Sequence, residues 1–102
     1  LVVGLIGLSR RLLMECGFDE ESAHKALSPI IEGNVEHILK DGCEAALTGP
    51  IERNDMETVK KHLAVLEGNA RTVYQSVSEE ILEIAKMKNK DRDYHKMEEI
   101  LK

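Results

Sequence analysis

The sequence contains very few aromatic residues. Among 102 positions only Phe18, Tyr74 and Tyr94 are aromatic, and tryptophan is absent. Aromatic side chains usually supply much of a core's buried area, so this core must be built from leucine, isoleucine, valine and methionine. The composition, 42% hydrophobic and 32% charged, excludes a disordered tail. We therefore expect a single domain, residues 1–102, with a modest aliphatic core.

Clustered positive charge is also missing. The formal net charge is −5, and the basic pairs Arg10-Arg11 and Lys60-Lys61 stand alone. Binding to nucleic acid or to an anionic membrane surface requires several cations on one face, because phosphate charge must be neutralised. We therefore expect neither nucleic acid nor a membrane as a partner.

Cysteine is scarce, and no long apolar run is present. Cys16 and Cys43 show no metal-binding spacing; they could form a disulfide, but two reduced thiols in a cytoplasmic protein is the interpretation we favour. The apolar run at residues 1–8 is shorter than the roughly 20 residues of a membrane span. No charged region precedes it, as a secretory signal would require. We expect a cytoplasmic protein.

The same apolar run opens a predicted helix over residues 1–16. Leu1, Leu5, Leu8 and Leu12 recur at helical spacing, and Gly17 is typical of the residue that ends a helix. Because the first eight residues are apolar nearly all round, we expect them to be covered by another part of a longer protein or by another chain. We interpret the chain as a piece of that longer protein.

Helical periodicity continues along the rest of the chain. A second helix is predicted from an Asp19 cap to Asp41-Gly42, and Pro29 should kink or split it. Residues 43–54 are predicted to be irregular, with Pro50 opening a short helical turn.

Three further features complete the predicted fold. A helix capped by Asn54 or Asp55 should stop at Gly68, another should follow from Asn69 or Ala70, and a last one should begin near Asp91. No segment alternates with period two, so we expect no sheet. The predicted fold class is an all-α bundle of five to six helices with a long apolar first helix.

Motifs for catalysis or metal binding are not found. The phosphate-binding, dinucleotide-binding, nucleophile-elbow and zinc-protease patterns are all absent. Glu21-x-x-His24 has the spacing used by di-iron bundles, but such a site needs a second copy and two further carboxylates. Glu21 also falls in a first helical turn, where acidic residues are common. We predict no metal site.

One segment, residues 48–55, has an unusual combination of residues, and we call it the 48–55 corner. Gly49 before Pro50 predicts an extended turn, Thr48 supplies a hydroxyl, and Arg53 supplies a cation. Such a corner can hold an anionic or hydroxylated ligand. The alternative is structural: Thr48 caps the turn, Arg53 pairs locally, and Asp55 caps the next helix. The residues alone favour the structural interpretation, because caps are far commoner than binding sites.

A resemblance to a known family supports the ligand-binding alternative for the corner. Residues 47–55 (LTGPIERND), followed by Thr58-Val59 and His62-Leu63, resemble a bacterial family that joins an N-terminal Rossmann-like NADP-binding domain to a C-terminal helical domain of unknown function. The family's helical half is similar to the C-terminal domain of 6-phosphogluconate dehydrogenase. Residues 1–13, 17–21 and 29–33 also look like the family. The chain departs from it at Asn34, His37 and Asn54, where the family often has threonine, asparagine and glycine.

The resemblance implies a function for the whole protein. The piece absent from this chain would be the Rossmann-like domain, which would bind NADP, while this part would hold no cofactor of its own. The first helix would form a homodimer interface, and the corner would line or brace the substrate cleft between the two domains. The resemblance assigns no catalytic residue. The expected substrate contacts are Thr48, Arg53 and His62, with Gly49, Pro50 and Asp55 forming the turn that aims them.

The alternative function is a helical interaction module without enzymatic activity, whose first helix recruits a partner. The oxidoreductase and the interaction module predict different parent genes. The oxidoreductase requires about 120–200 further residues upstream, the size of a domain. Those residues should open with a strand and a glycine-rich turn.

Overall fold

A computed structural model describes residues 1–102 as an all-helical chain without strands. The predicted all-α class is thereby confirmed, and six helices lie at the upper end of the expected number. They are α1 (Val2–Glu15), α2 (Glu20–Asp41), α3 (Cys43–Ala46), α4 (Met56–Val65), α5 (Gly68–Lys88) and α6 (His95–Leu101). None is both long and apolar enough to cross a bilayer.

The chain divides into two compact units. Unit 1 is residues 1–40, with α1 and nearly all of α2, and unit 2 is residues 41–102, with α3 to α6. The single domain expected from the sequence stays a prediction.

In unit 1, α1 ends in the glycine motif that the sequence predicts. Gly17 has a φ of +106°, a conformation that residues with a Cβ rarely adopt. Its N–H donates to the carbonyl of Met14 at 3.0 Å, and the N–H of Phe18 donates to the carbonyl of Leu13 at 3.1 Å. These two bonds form a Schellman motif, which satisfies carbonyls that the end of a helix leaves unpaired.

The α2 helix starts as predicted but does not split. The Asp19 carboxylate accepts the N–H of Ser22 at 2.7 Å, as an N-cap should. The helix then runs unbroken across Pro29, so of the two expected outcomes the split is wrong, and the kink stays a prediction. Proline removes only one donor, the one that would reach the carbonyl of Lys25. Pro29 and Lys25 are both exposed, so water can solvate that carbonyl.

Burial within unit 1 is slight. Ala23 is its one buried residue, and α1 buries none. At the start of α1, Val2 is 64% exposed, Val3 85% and Leu1 fully exposed. An open groove of about 380 Å³ lies between α1 and α2, lined by Ile6, Arg10, His24, Leu27, Ser28, Ile31, Glu32 and Val35.

Unit 2 contains the main hydrophobic core. Its centre is aliphatic as predicted, except that Tyr94 also belongs to it. The buried members are Ile51, Val59, Leu63, Leu82, Ala85, Tyr94, Met97 and Leu101. They come from the turn before α4, from α4, from α5 and from α6, so the short α6 closes the core.

Helix boundaries in unit 2 differ from the prediction at three places. Cys43–Ala46 is helical, within the stretch expected to be irregular. Gly68 was expected to end a helix, but α4 ends at Val65 and Gly68 begins α5 with a φ of +56°. The glycine serves the reversal between two helices, which needs the same permissive backbone as a helix end. The last helix starts at His95 and not near Asp91.

Candidate ligand-binding corner

The 48–55 corner is a tight turn fixed by its own backbone. Gly49 has a φ of +114°, so glycine is required there by conformation. No atom approaches the position of a Cβ at Gly49, so space is not the reason. The N–H of Arg53 donates to the carbonyl of Gly49 at 3.2 Å, and the N–H of Asp55 donates to that of Pro50 at 2.8 Å. Pro50 thus opens a helical turn, as the sequence predicts.

Asp55 joins the corner to α4. Its carboxylate accepts the N–H of Thr58 at 3.1 Å and the Thr58 hydroxyl at 2.7 Å. These two hydrogen bonds, the hydroxyl's first, hold the pKa of the Asp55 carboxyl below its ordinary value, and the charge of Arg53 adds to the effect. Asp55 is therefore the cap of α4, one of the two residues that the sequence offered for that position.

Arg53 and Thr48 lie on the exposed side of the corner. The side chain of Arg53 is 58% exposed, and its Nη2 is 3.6 Å from Asp55 Oδ2. One long ion pair leaves most of its five N–H donors available. Thr48 is exposed, and no hydrogen bond joins its hydroxyl to the turn. The structural role suggested for Thr48 as a cap is therefore not seen, whereas local pairing of Arg53 is.

His62 lies in the last turn of α4, away from the corner. It follows Asp55 by seven residues, which is about 10 Å along a helix axis. Its Nδ1 is 2.9 Å from the hydroxyl of Tyr74, and the two rings meet edge to face with centroids 5.6 Å apart. The structure brings Arg53 and Asp55 together and places His62 about two turns further along α4.

Sequence reasoning missed the residue that anchors the corner, Glu52. Its side chain is only 17% exposed. Glu52 Oε1 accepts a hydrogen bond from Asn89 Nδ2 at 3.2 Å, and Lys88 Nζ and Arg92 Nη1 lie 3.7 Å and 4.0 Å from it. The carboxylate is thus held by three side chains from the end of α5 and the segment that follows it.

The backbone of the corner is held by the same segment. The Glu52 carbonyl accepts the Tyr94 hydroxyl in a short hydrogen bond and Arg92 Nη1 at 2.8 Å. Lys88 Nζ donates to the carbonyl of Leu47 at 2.7 Å. We call Lys88, Asn89, Arg92 and Tyr94 the brace. The brace joins the corner to the hydrophobic core, because Tyr94 is a core residue that is only 2% exposed.

Asn54 completes this attachment. It has a φ of +59°, the left-handed conformation that asparagine tolerates better than most residues. Its Nδ2 donates to the carbonyl of Asp93 at 2.9 Å, while its Oδ1 is buried without a partner. Glycine also suits such a φ, which gives a physical reason for the glycine common at this position in the resembling family.

The structure shows no arrangement for a metal ion. No three histidine, cysteine or acidic side chains gather closely enough to bind one. Glu21, from the pair considered for a di-iron site, lies 3.1 Å from Lys25 Nζ in an ion pair along α2. Cys16 and Cys43 are both exposed and unpaired.

Comparison with known proteins gives one match. A family model described as a domain of unknown function (DUF2520) matches residues 1–81. The matched residues include α1 to α4, the corner and most of α5, whereas the brace lies beyond them. No curated protein and no solved structure matches the chain. Because the match spans well over half of the sequence, the chain belongs to the DUF2520 domain family.

Proposed function

We propose that the chain is the subunit-contact and substrate-cleft domain of an NADP-dependent oxidoreductase. In this proposal a Rossmann-like domain of the same protein binds the nucleotide, and the helical part resembles the C-terminal domain of 6-phosphogluconate dehydrogenase. The full protein would transfer hydride between NADP and a small substrate. The observation that carries the proposal is the braced corner, which presents an exposed arginine on a rigid turn.

Rigidity matters because binding must overcome the cost of ordering the groups that bind. A surface loop loses conformational freedom when a ligand fixes it, and this loss weakens binding. Glu52 holds the corner to the brace, and Asn54 holds it to the neighbouring Asp93 carbonyl, before any ligand arrives. A guanidinium presented in this way can bind a carboxylate or phosphate with two parallel hydrogen bonds. The substrate would therefore be a small anionic molecule.

The remaining polar groups fit the same kind of ligand. The Thr48 hydroxyl is exposed at the start of the corner and can donate to or accept from a substrate oxygen. His62 lies about two turns along α4, so it would contact a different part of the substrate. Gly49, Pro50 and Asp55 would position these groups without touching the substrate.

The exposed start of α1 supports the proposed homodimer. Leu1, Val2 and Val3 are all more than half exposed, and Leu5 and Ile6 are 42% and 36% exposed. Contiguous apolar surface of this kind usually marks a protein interface. A second copy presenting the same α1 surface would cover it by two-fold symmetry.

The test uses the full-length protein with its upstream domain. NADPH oxidation is followed with a panel of small keto acids, and Arg53→Ala is compared with Lys60→Ala, which removes an exposed cation from α4. We expect Arg53→Ala to raise KM by at least about tenfold, since a charge-assisted hydrogen bond contributes about 1.5–3 kcal/mol. NADPH affinity and the behaviour of Lys60→Ala should stay close to wild type.

Two results would overturn the proposal. A full-length protein that binds no NADP(H) would instead be an interaction module, the alternative that the exposed α1 also favours. Unchanged KM and kcat in a well-folded Arg53→Ala protein would remove the corner from the substrate site.

A further inference from the structure

Residues 89–94 supply the long-range hydrogen bonds that Glu52 and Asn54 make in the 48–55 corner. The partners are Asn89, Arg92 and Tyr94 for Glu52, and the Asp93 carbonyl for Asn54. The segment itself is not helical, and its one internal backbone hydrogen bond runs from the N–H of Arg92 to the Asn89 carbonyl at 3.0 Å. Its position is therefore decided by what it is attached to.

Docking of α6 holds residues 89–94 in place. Tyr94, Met97 and Leu101 are all buried, so the end of this segment and one side of α6 are anchored in the core of unit 2. A helix as short as α6 is not stable in water by itself, because its first turn costs more free energy than its few hydrogen bonds return. The α6 helix therefore forms because it is docked, and residues 89–94 lose their anchor if it leaves the core.

The polar attachments of α6 to the rest of unit 2 are weak. Lys86 Nζ lies 3.2 Å from Glu98 Oε1, and both side chains are partly exposed. Gln75 Nε2 donates to the Leu101 carbonyl in a long hydrogen bond of 3.4 Å. Proteins open locally in segments that have fewer attachments than the rest of the core. Residues 89–101, which we call the strap, form such a segment.

We infer that the strap is a conformational switch for the 48–55 corner. The docked strap holds Glu52 and Asn54, and with them the turn that carries Arg53. The undocked strap releases both residues, so the corner loses its fixed shape. Arg53 stands between Glu52 and Asn54 in the sequence and is the one cation of the corner. The strap therefore controls how this cation is presented.

Such a switch couples ligand binding at the corner to docking of the strap. Only the docked state presents Arg53 on a fixed turn, so the affinity for an anion falls in proportion to the docked fraction. The coupling is reciprocal, and an anion bound at Arg53 favours docking by the same factor. The choice of an anion as ligand rests on the proposed function, whereas the hold of the strap on the corner does not.

The first test loosens α6 without removing any core atom. Glu99 is exposed on α6, and Glu99→Gly is compared with Glu99→Ala, which removes the same carboxylate but keeps a strong helix former. Hydrogen exchange measured by NMR reports opening of the corner through the N–H groups of Arg53 and Asp55, which are bonded within the turn. We expect these two groups and the N–H of Glu98 in α6 to exchange about fivefold faster in the glycine variant, because glycine has the weaker helix propensity.

Glu80→Gly and Glu80→Ala, at an exposed position of α5, provide the matched control. Exchange at the corner should be the same in these two variants. A corner that responds equally to glycine at position 80 opens only when all of unit 2 unfolds, and the inference then fails. It also fails if the N–H of Glu98 exchanges faster in Glu99→Gly while the corner is unchanged, or if neither responds.

The second test removes hydrogen bonds between the strap and the corner. Asn54→Gly suits the φ of +59° and removes the donor to the Asp93 carbonyl, and Arg92→Ala removes one donor to the Glu52 carbonyl. In the double variant the corner should exchange faster than in wild type, and Glu99→Gly should add less to the rate than it does in wild type. An undiminished effect of Glu99→Gly would show that the strap does not act through these contacts. Arg11→Ala on α1 is the control for loss of an exposed arginine.

The third test separates the coupling from the proposed function, with inorganic phosphate as the anion. At about ten times its Kd, phosphate should slow exchange of the Glu98 N–H in α6 by up to about tenfold, and it should have no such effect in Arg53→Ala. If phosphate shifts the NMR signals of Arg53 but leaves exchange in α6 unchanged, the coupling is wrong and the proposed function stands. If phosphate does not bind at the corner, the proposed anion site is wrong and its coupling fails with it, while the glycine and alanine variants of Glu99 still decide whether the strap holds the corner.

Discussion

Units 1 and 2 have similar helices but very different interiors. In each unit an aspartate caps the start of a helix. Asp19 caps α2 in unit 1, and Asp55 caps α4 in unit 2. Unit 1 nevertheless buries only Ala23, while unit 2 encloses a core that includes Met97 and Leu101. Most of the large apolar side chains that stay exposed belong to unit 1.

The difference shows that local signals and burial are separate determinants of structure. Caps, glycine ends and apolar periodicity suffice to define a helix, and they do so equally in both units. Whether the apolar face of that helix is covered depends on what packs against it. Unit 2 covers the apolar faces of its own helices, whereas the apolar start of α1 stays exposed.

The largest expected effect is on the core of unit 2. Met97 is fully buried and Met14 on α1 is 42% exposed, so the same substitution can be made in both units. Met97→Ala should lower the free energy of unfolding by about 2–5 kcal/mol, because it leaves a cavity. Met14→Ala should change it by no more than about 0.5 kcal/mol. Urea unfolding, followed by the helical circular dichroism signal, measures the free energy of unfolding of both variants. Equal losses of stability would contradict the difference in burial between the two units.

The next effect concerns the brace that holds the corner to that core. Tyr94→Phe removes the donor to the Glu52 carbonyl and leaves Asn89 Nδ2 without its contact to the Tyr94 hydroxyl. We expect a loss of about 0.5–1.5 kcal/mol for each of the two hydrogen bonds removed. The Glu52 carbonyl keeps Arg92 as a donor, and Asn89 Nδ2 keeps Glu52 as an acceptor, so neither group is left unpaired. Urea unfolding of Tyr74→Phe provides the control, since Tyr74 is less buried. A Tyr94→Phe protein as stable as wild type would show that the corner is not held by the brace.

A third effect tests the exposed surface of unit 1. Leu5→Glu on α1 should weaken self-association by at least about tenfold, equivalent to about 1.4 kcal/mol. Val77→Glu on α5 is the matched control, since Val77 is 38% exposed and Leu5 is 42% exposed. Light scattering over a range of concentrations measures the mass of each protein. A wild-type chain that stays monomeric at every concentration would contradict the homodimer.

The smallest effect compares the two caps. Asp55→Ala should lower the melting temperature by several degrees at neutral pH, and Asp55→Asn by less, because asparagine also caps helices. Asp19→Ala should have a smaller effect, since α2 contributes only Ala23 to buried surface. Thermal melts of the three proteins check this order.

The pH dependence of the Asp55 cap has a defined sign. Hydrogen bonds from Thr58 hold the pKa of Asp55 below its ordinary value, so the folded state favours the charged carboxylate. The cap therefore stabilises fully above the unfolded pKa of about 3.9, and this contribution is lost as the pH falls through the lower folded pKa. The difference in melting temperature between wild type and Asp55→Ala should become smaller in that acidic range. A constant difference from pH 7 down to about pH 2 would show that the cap does not depend on the charge of Asp55.

Several parts of the fold were predictable from the sequence because their causes are local. Gly17 ends α1 and Asp19 starts α2 through residues at most five positions away. Of the kink or split expected at Pro29, the split was wrong because a helix can lose one exposed hydrogen bond and continue. Gly68 was predicted to end a helix but begins α5, since the permissive backbone of glycine suits either position.

The candidate site was predictable only in part. The sequence identified the corner and Arg53 as unusual, and it offered Asp55 as a cap. It gave no sign of Glu52 as an anchor, because the partners of Glu52 lie about 40 positions away and no periodicity connects them. It gave no sign either that Lys88 and Asn89, at the end of α5, hold the corner.

The sequence by itself determined where most of this chain is helical, how its helices begin and end, and that its core is aliphatic, because those properties depend on neighbouring residues and on composition. Tertiary structure alone decided which apolar faces are buried, that Glu52 joins the corner to the core, and that Tyr74 meets His62. These contacts join residues far apart in the chain, and their formation depends on how whole helices pack.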